Sequence, residues 1–369
     1  MTMGRLLYFY PENDMALAVG SPGYTAPEQA ARLRLSGEAL PLWYGEAGDR
    51  VLTSGINAAW YDAMQRDFGI TADVFDFDCA GLTPEPWGWS LPVRNIYAAQ
   101  GMSEALMPDN DAMARIRTLS NRQTSIELAR SLAEVLPFMA STGAVAVADP
   151  ARLPEILAER GRVIVKQPWS SSGRGIIDSL NMTDDDVIRQ TTGIIRRQGS
   201  AIVENVLARC ADFAMLFRNS AEGMSFAGLS VFNTDHRYCY AGNMVASQEI
   251  LRKHLETLVP AEQLDALQKE LTARLRDIIG DAYHGPLGVD IMVTENGLAI
   301  SELNLRNTMG HVCAVLGERY LEPGITATFS IVPAVKDGSP STYVARNKRL
   351  VSGILDLVPG RFFTFRLSK

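Results

Sequence analysis

The chain has 369 residues, of which 47% are hydrophobic and 21% charged, with a mean hydropathy of −0.01, a balance that speaks against both disorder and residence in a membrane. Its 35 Lys and Arg face 42 Asp and Glu, a net charge of −7, so the clustered positive charge that nucleic-acid phosphates require is missing. At roughly 150 residues per domain, the length allows two or three compact units.

The N-terminus, MTMGRLLYFYPEND, has one short apolar run broken by Pro11 and followed by acids, which is not the form of a secretion signal. No stretch reaches the ~18 apolar residues of a spanning helix. Cys79, Cys210, Cys239 and Cys313 lie far apart without C-x-x-C spacing. Reduced thiols, each buried as a small hydrophobe in a cytoplasmic protein, are the expectation.

In chain order, RLLYFY (5–10), LPLWYG (40–45) and ADVFDF (72–77) read as strands of a small α/β unit. The stretch LTPEPWGWSLP (82–92) interrupts that alternation and is expected to cover an edge. Helical periodicity runs over 111–136 and stops at Pro137. RVIVKQPWSSSGRGIIDSL (162–180) has the grammar of a hairpin with a small-residue tip, and 184–198 reads as a helix whose Asp184 to Asp186 suit its positive end. Strands are expected at 201–207, 212–219, 224–233 and 237–243, then a helix over 261–280 and a hairpin over 288–305. The last stretch, 336–369, mixes polar loop and apolar strand.

Within AISELNLRNTMGH (299–311), Glu302, Asn304 and Arg306 alternate with Leu303 and Leu305, so a strand would place an acid, an amide and a guanidinium on one face. A two-residue turn at Asn296-Gly297 would set Asp290 across from Leu303. A three-residue loop over 295–297 with Gly297 left-handed sets it across from Glu302 and aligns Val289, Ile291 and Val293 with Ala299, Leu303 and Leu305 as one apolar layer. The second register is the one we expect. Two carboxylates about 5 Å apart repel by roughly 3 kcal/mol at an effective dielectric near 20, so a buried pair needs a partner. Asp290, Glu302 and the Asn304 carbonyl are hard donors suited to Mg²⁺ or Mn²⁺; the competing reading is a polar sheet face on which Arg306 neutralises the acids.

Lys166 sits in an otherwise apolar strand and must reach water or an anion. The Ser/Gly loop that follows would let backbone N–H groups approach a phosphate. The commonest NTPase, dinucleotide, serine-hydrolase and zinc-protease motifs are all missing. Of His236, His254, His284 and His311, only His311, closing the 302–311 stretch, is a site candidate.

Taken in order, VIVKQPWSSSGRGI, IVENVL, GVDIMV and ISELNLRNTMGH resemble the ATP-grasp superfamily of carboxylate-amine and carboxylate-thiol ligases, over residues 111–330. The resemblance implies an α/β plus α+β protein: an ATP-grasp fold with two nucleotide-clamping α+β subdomains, preceded by a small Rossmann-like unit. The implied division is 1–110 for that unit, 111–200 for the small subdomain with the phosphate lid, 201–335 for the large subdomain with the metal site, and 336–369 as an extension. Lys166 would contact phosphates, with Ser170, Ser171, Ser172, Gly173, Arg174 and Gly175 as the lid. Glu204, Asn205 and Val206 would meet adenine and Asp212 the ribose. Asp290, Glu302 and Asn304 would hold two Mg²⁺ ions, and Arg306 would stabilise the transferred phosphoryl group. Where the family often has an earlier lysine, this chain has Arg122.

The implied function is an ATP-dependent ligase forming an acyl phosphate and releasing ADP and phosphate. A small-molecule kinase on the same scaffold and a non-catalytic nucleotide-binding protein are the alternatives. Small-molecule substrates are expected, with no nucleic acid or membrane partner and with a homodimer compatible. Glu12, Asn13 and Asp14, after the first strand, are candidates to orient a substrate or to cap a short helix; Thr308 and His311 are candidates near the acceptor.

Overall fold

The computed structural model describes residues 3–170, 175–235, 238–334 and 341–369. It contains three sheets. In the first, β1 (Gly4–Tyr8), β2 (Arg50–Val51), β3 (Asp73–Val74) and β4 (Leu82–Pro86) lie parallel in the order β3-β2-β1-β4. The helices α1 (Asn13–Val19), α2 (Glu28–Gly37), α3 (Ala58–Phe68) and α4 (Leu91–Ala99) accompany it.

Two expectations for this unit are corrected. Residues 40–45 are not a strand: Leu40–Trp43 form a 3-10 turn with Pro41 near its start, and all four side chains are buried. A continuous apolar run reads the same whether the segment is a buried strand or a buried turn of helix. The proline-rich stretch after residue 82 does not cover an edge; it is the edge. Pro84 and Pro86 lie in β4, which pairs only with β1, and an outer strand can spare the N–H groups that proline lacks.

The helical stretch 111–136 is two helices, α5 (Asn110–Leu119) and α6 (Arg122–Ala133). Asn121 interrupts it, because its side chain accepts from the Gln123 N–H and starts α6 afresh, so that Arg122 becomes the first residue of a new helix. The second sheet then forms from β5 (Val145–Val147), β6 (Val163–Lys166), β7 (Ile177–Asp178) and β8 (Ala201–Asn205), antiparallel in the order β5-β8-β6-β7. With α7 (Leu153–Arg160) and α8 (Asp184–Gln198) it closes a small core of its own around Val163, Val165, Ile194 and Val203.

The third sheet has nine antiparallel strands. They are β9 (Arg209–Ser220), β10 (Gly223–Thr234), β11 (Tyr240–Val245), β12 (Gly285–Thr294), β13 (Gly297–Asn304), β14 (Ala327–Pro333), β15 (Thr342–Arg346), β16 (Arg349–Pro359) and β17 (Phe363–Ser368), in the order β13-β12-β9-β10-β11-β14-β17-β16-β15. The helices α9 (Gln248–Glu256), α10 (Ala261–Ile279) and α11 (Met309–Val315) belong to this part of the chain. Residues 341–369 thus add three strands to the sheet, and Phe365 of β17 packs edge-on against Phe9, joining the first and third sheets in one large core.

The β12–β13 hairpin carries the expected pair, Asp290 opposite Glu302, but by a different route. The loop holds two residues, with Thr294 opposite Gly297, and a bulge near Ser301 supplies the extra residue before Asp290. The apolar layer therefore consists of Val289, Ile291 and Val293 with Leu298, Ile300, Leu303 and Leu305, while Ala299 sits opposite Met292. Gly297 has the expected positive φ, 120°, and a Cβ there would fall 2.1 Å from the Phe138 carbonyl oxygen, to which the Leu298 N–H donates.

Among the described residues no helix is long and apolar enough to cross a membrane. No disulfide links the cysteines; Cys313 is buried as expected, but Cys210 is exposed.

Candidate active site

A cleft of about 230 Å³ runs between the second and third sheets. Lys166, Glu204, Asn205 and Val206 line it from one side, and Asp212, Asp290, Glu302, Asn304, Arg306 and Thr308 from the other. Arg122 also opens onto it. Eleven of the sequence candidates, from segments up to 186 residues apart (308 − 122), therefore share one concavity.

Lys166 does not stand free. Its Nζ lies 2.8 Å from Glu204 Oε2, with both side chains nearly buried. Lys166 is opposite Ile202 and Ile164 opposite Glu204, so the pair is a diagonal one across β6 and β8. The Glu204 carboxylate thus faces the lysine, while Asn205, Val206 and Leu207 run along the cleft beyond it. Asp212 is held by Arg209 at 3.1 Å and accepts from the Thr234 hydroxyl at 3.3 Å; burial raises its pKa, with Arg209 opposing.

On the hairpin side, Asn304 donates its amide to Asp290 Oδ2 at 3.0 Å and accepts from Arg306 at 2.7 Å. Arg306 also donates to Asp14 Oδ2 at 2.7 Å, across 292 residues of sequence, and to the Asn307 carbonyl at 3.1 Å. Burial, then the Glu302 charge, push the Asp290 carboxyl up to about 7, against the pull of Arg306 and Asn304. Burial likewise raises the pKa of Asp14 although Arg306 lies beside it. The acids are therefore only partly compensated by the chain's own cations, which is the condition that a divalent cation relieves.

The donor set fits such an ion in part. Asp290 and Glu302 share one face of the hairpin, and two carboxylates complemented by phosphate and water oxygens suit Mg²⁺. The Asn304 oxygen is engaged by Arg306 and would have to exchange places with its amide nitrogen to join them. Among the described residues no group of three or more His, Cys, Asp or Glu comes together as a metal site, so the two carboxylates would need phosphate and water oxygens to complete the shell.

Arg122 bridges two parts of the site. Its guanidinium lies 2.7 Å from Glu302 Oε1 and donates to the Ser170 hydroxyl at 2.8 Å and to the Gln167 carbonyl at 2.5 Å. It reaches there because α6 packs along β13, where the Ser125 hydroxyl accepts from the Leu303 N–H at 2.9 Å. Of the expected lid, Ser170 is buried in this contact and Gly175 has φ +76°; Ser171, Ser172, Gly173 and Arg174 lie outside the described residues, as does His236.

The segment after β1 does not take the capping role. Glu12 precedes α1 without capping it, and instead pairs with Arg34 at 2.5 Å; Asn13 is fully buried, with neither amide atom hydrogen-bonded. Neither lines the cleft, although Pro11 does. Burial raises the Glu12 carboxyl to about 6, with Arg34 opposing. His311 stands behind Thr308, its Nδ1 3.0 Å from the Thr308 hydroxyl, and burial pushes its pKa down to about 4. Arg34, Ser230, Tyr240 and Asn243 were not sequence candidates. A serine, a tyrosine or an asparagine in a strand carries no local mark of what it faces.

No protein-family model matches the chain, and no curated protein does. Solved structures do. A Campylobacter jejuni biotin carboxylase in complex with β,γ-ATP matches 98% of this chain and 86% of its own at a TM-score of 0.54 and 12% identity. The biotin carboxylase domain dimer of Hydrogenobacter thermophilus 2-oxoglutarate carboxylase, with MgADP, ADP and bicarbonate, matches 100% and 86% at 0.52 and 12%. N5-carboxyaminoimidazole ribonucleotide synthetase from Thermus thermophilus matches 100% and 93% at 0.51 and 14%. The chain has the ATP-grasp fold. The ATP-grasp likeness spans nearly the whole chain, including residues beyond the 111–330 that carry the sequence resemblance.

Proposed function

We propose that the protein is an ATP-dependent ligase that joins a carboxylate to an amine or thiol through an acyl phosphate and releases ADP and phosphate. What supports this most is the row Asp290, Glu302, Asn304 and Arg306 facing Lys166 across one cleft of an ATP-grasp fold. The similar structures solved with β,γ-ATP, with MgADP and with bicarbonate favour the same nucleotide chemistry.

In this reading residues 111–200 and 201–335 clamp the nucleotide. Asn205 and Val206 meet adenine through the chain that leaves β8, with Glu204 alongside, and Asp212 takes the ribose. Lys166 keeps Glu204 and turns another of its three ammonium hydrogens to a phosphate oxygen. Ser170 to Gly175 cover the phosphates, anchored through Arg122 at Ser170. Magnesium, as one or two ions held by Asp290, Glu302 and Asn304, would supply neutralisation of phosphate charge. Arg306, oriented by Asp14 and Asn304, stabilises charge on the phosphoryl group as it passes to the substrate carboxylate. No side-chain nucleophile is required.

The test is a coupled ADP-release screen with ATP and Mg²⁺ over pairs of amino acids, dipeptides and small carboxylates. ADP and phosphate should form only with both substrates present. Formation of AMP and pyrophosphate would overturn the scheme, and a stable phosphorylated product from one substrate would make the protein a kinase. Glu302→Gln should lower turnover by about 100-fold or more.

A further inference from the structure

The acid row continues across the large sheet. Glu302 is opposite Asp290, Asp290 is opposite Ala214 on β9, and Ala214 is opposite Ser230 on β10. Directly opposed residues present their side chains on the same face, so Ser230 looks into the cleft that the acids line. It stands two strands from Asp290, roughly 10 Å away at about 4.8 Å per strand. The small side chain of Ala214 leaves the floor between them open.

Hydrogen bonding fixes what Ser230 offers. The Asn243 amide nitrogen donates to the Val231 carbonyl at 3.2 Å and to Ser230 Oγ at 2.8 Å, while its oxygen accepts from the Tyr240 hydroxyl. Both amide hydrogens are used, so Ser230 is an acceptor toward Asn243 and keeps its own proton for another partner. Thr308 is the converse. Burial holds His311 neutral, so its ring carries one hydrogen, and two backbone carbonyls that can only accept, those of Phe217, 3.4 Å from Nε2, and of Leu287, compete for it; we assign it to Nε2, the nitrogen that faces Phe217. Nδ1 is then an acceptor, and the Thr308 hydroxyl must donate to it. Thr308 is left with lone pairs alone to present to the cleft.

Gly310, two residues beyond Thr308, keeps the space beside Ser230 clear, since a Cβ there would fall 2.8 Å from Ser230 Oγ. Of the side chains that line the cleft here, Tyr240, Asn243, Met309 and Ile331 are uncharged, and Arg306, two residues before Thr308, has its guanidinium committed to Asp14 and Asn304. We propose that Ser230 and Thr308 form a subsite for an uncharged substrate group carrying a hydrogen-bond acceptor and donor side by side, as a carboxamide does. The inference deepens the ligase reading and rests on it for the role of the molecule that bears the group. A carboxylate would meet the Thr308 lone pairs unfavourably, and an ammonium would find one acceptor there, with the nearest acid of the row, Asp290, roughly 10 Å away.

The test is protein NMR on ¹³C-methyl methionine, with the Met309 signal assigned through Met309→Leu, titrated with butyramide, butyrate and butylammonium. Butyramide should shift Met309 saturably, and the two charged analogues should bind at least about tenfold more weakly. Thr308→Val and Ser230→Ala should each weaken butyramide about fivefold, and Thr308→Ser should retain it. Equal shifts from all three probes, or unchanged affinity in Thr308→Val, would overturn the proposal. MgADP, followed at Met292 in the same samples, checks the nucleotide site separately. Loss of the Met292 response with retained butyramide binding sinks the ligase reading and leaves the subsite supported.

Discussion

The two walls of the cleft handle buried charge in opposite ways. On the β6–β8 wall, Lys166 and Glu204 neutralise one another, with side chains 9% and 8% exposed. On the β12–β13 wall, Asp290, Glu302 and Asp14 crowd around Arg306 and Arg122, and burial holds the Asp290 carboxyl near 7. The first wall is complete as folded. The second carries a surplus of acid, which the proposed function uses to receive a cation and a phosphate.

The largest effect that would break this comparison is on the paired wall. Lys166→Met leaves Glu204 buried without its partner and should cost about 3–5 kcal/mol in urea unfolding, whereas Lys166→Met with Glu204→Leu should recover most of it. If the single variant were as stable as the parent, the pair would be solvated rather than buried.

Behind the acid wall, His311 is held neutral by burial, with Arg218 and Arg306 adding to the effect. Its folded pKa of about 4 lies below an unfolded value near 6.5, so in that window the unfolded chain binds the extra proton. The His311 contribution to stability should therefore fall by about 3 kcal/mol as pH drops from 6.5 to 4, opposite in sign to the raised carboxyls of Asp290 and Glu12. Subtracting the pH profile of His311→Gln from that of the parent isolates the contribution.

A smaller effect has the reverse sign. Asp290→Asn removes one of two facing carboxylates and should stabilise the metal-free protein at pH 8 by about 2 kcal/mol, seen as a higher urea midpoint in EDTA. A lower midpoint would show that the acids are already compensated. Smallest, Asn121→Ala removes the cap that starts α6 and should cost about 1 kcal/mol, with a matching loss of order at Arg122 in amide exchange.

Much of the site was legible because it is written in local alternation. Glu302, Asn304 and Arg306 separated by leucines announce a strand with one polar face, and the aliphatic Val289, Ile291 and Val293 announce the face of its partner. The pairing of Asp290 with Glu302 was read correctly, yet the bulge that produces it was not, since a bulge and a longer loop shift register by the same single residue. Residues 40–45 were misread because a fully buried run has no periodicity to separate strand from helix.

The sequence alone determined which groups the chain could bring to a site: hard oxygen donors, one guanidinium and one lysine in strand-like contexts, in an order that resembles the ATP-grasp motifs. Tertiary structure decided the partners of those groups. Asp14 meets Arg306, Arg122 meets Glu302, and Ser230 joins the row of Asp290 only when distant strands align. Local spacing encodes the face on which a side chain projects, but which charges cancel and which remain in surplus depends on desolvation and proximity, and these arise only when the sheets close on one another.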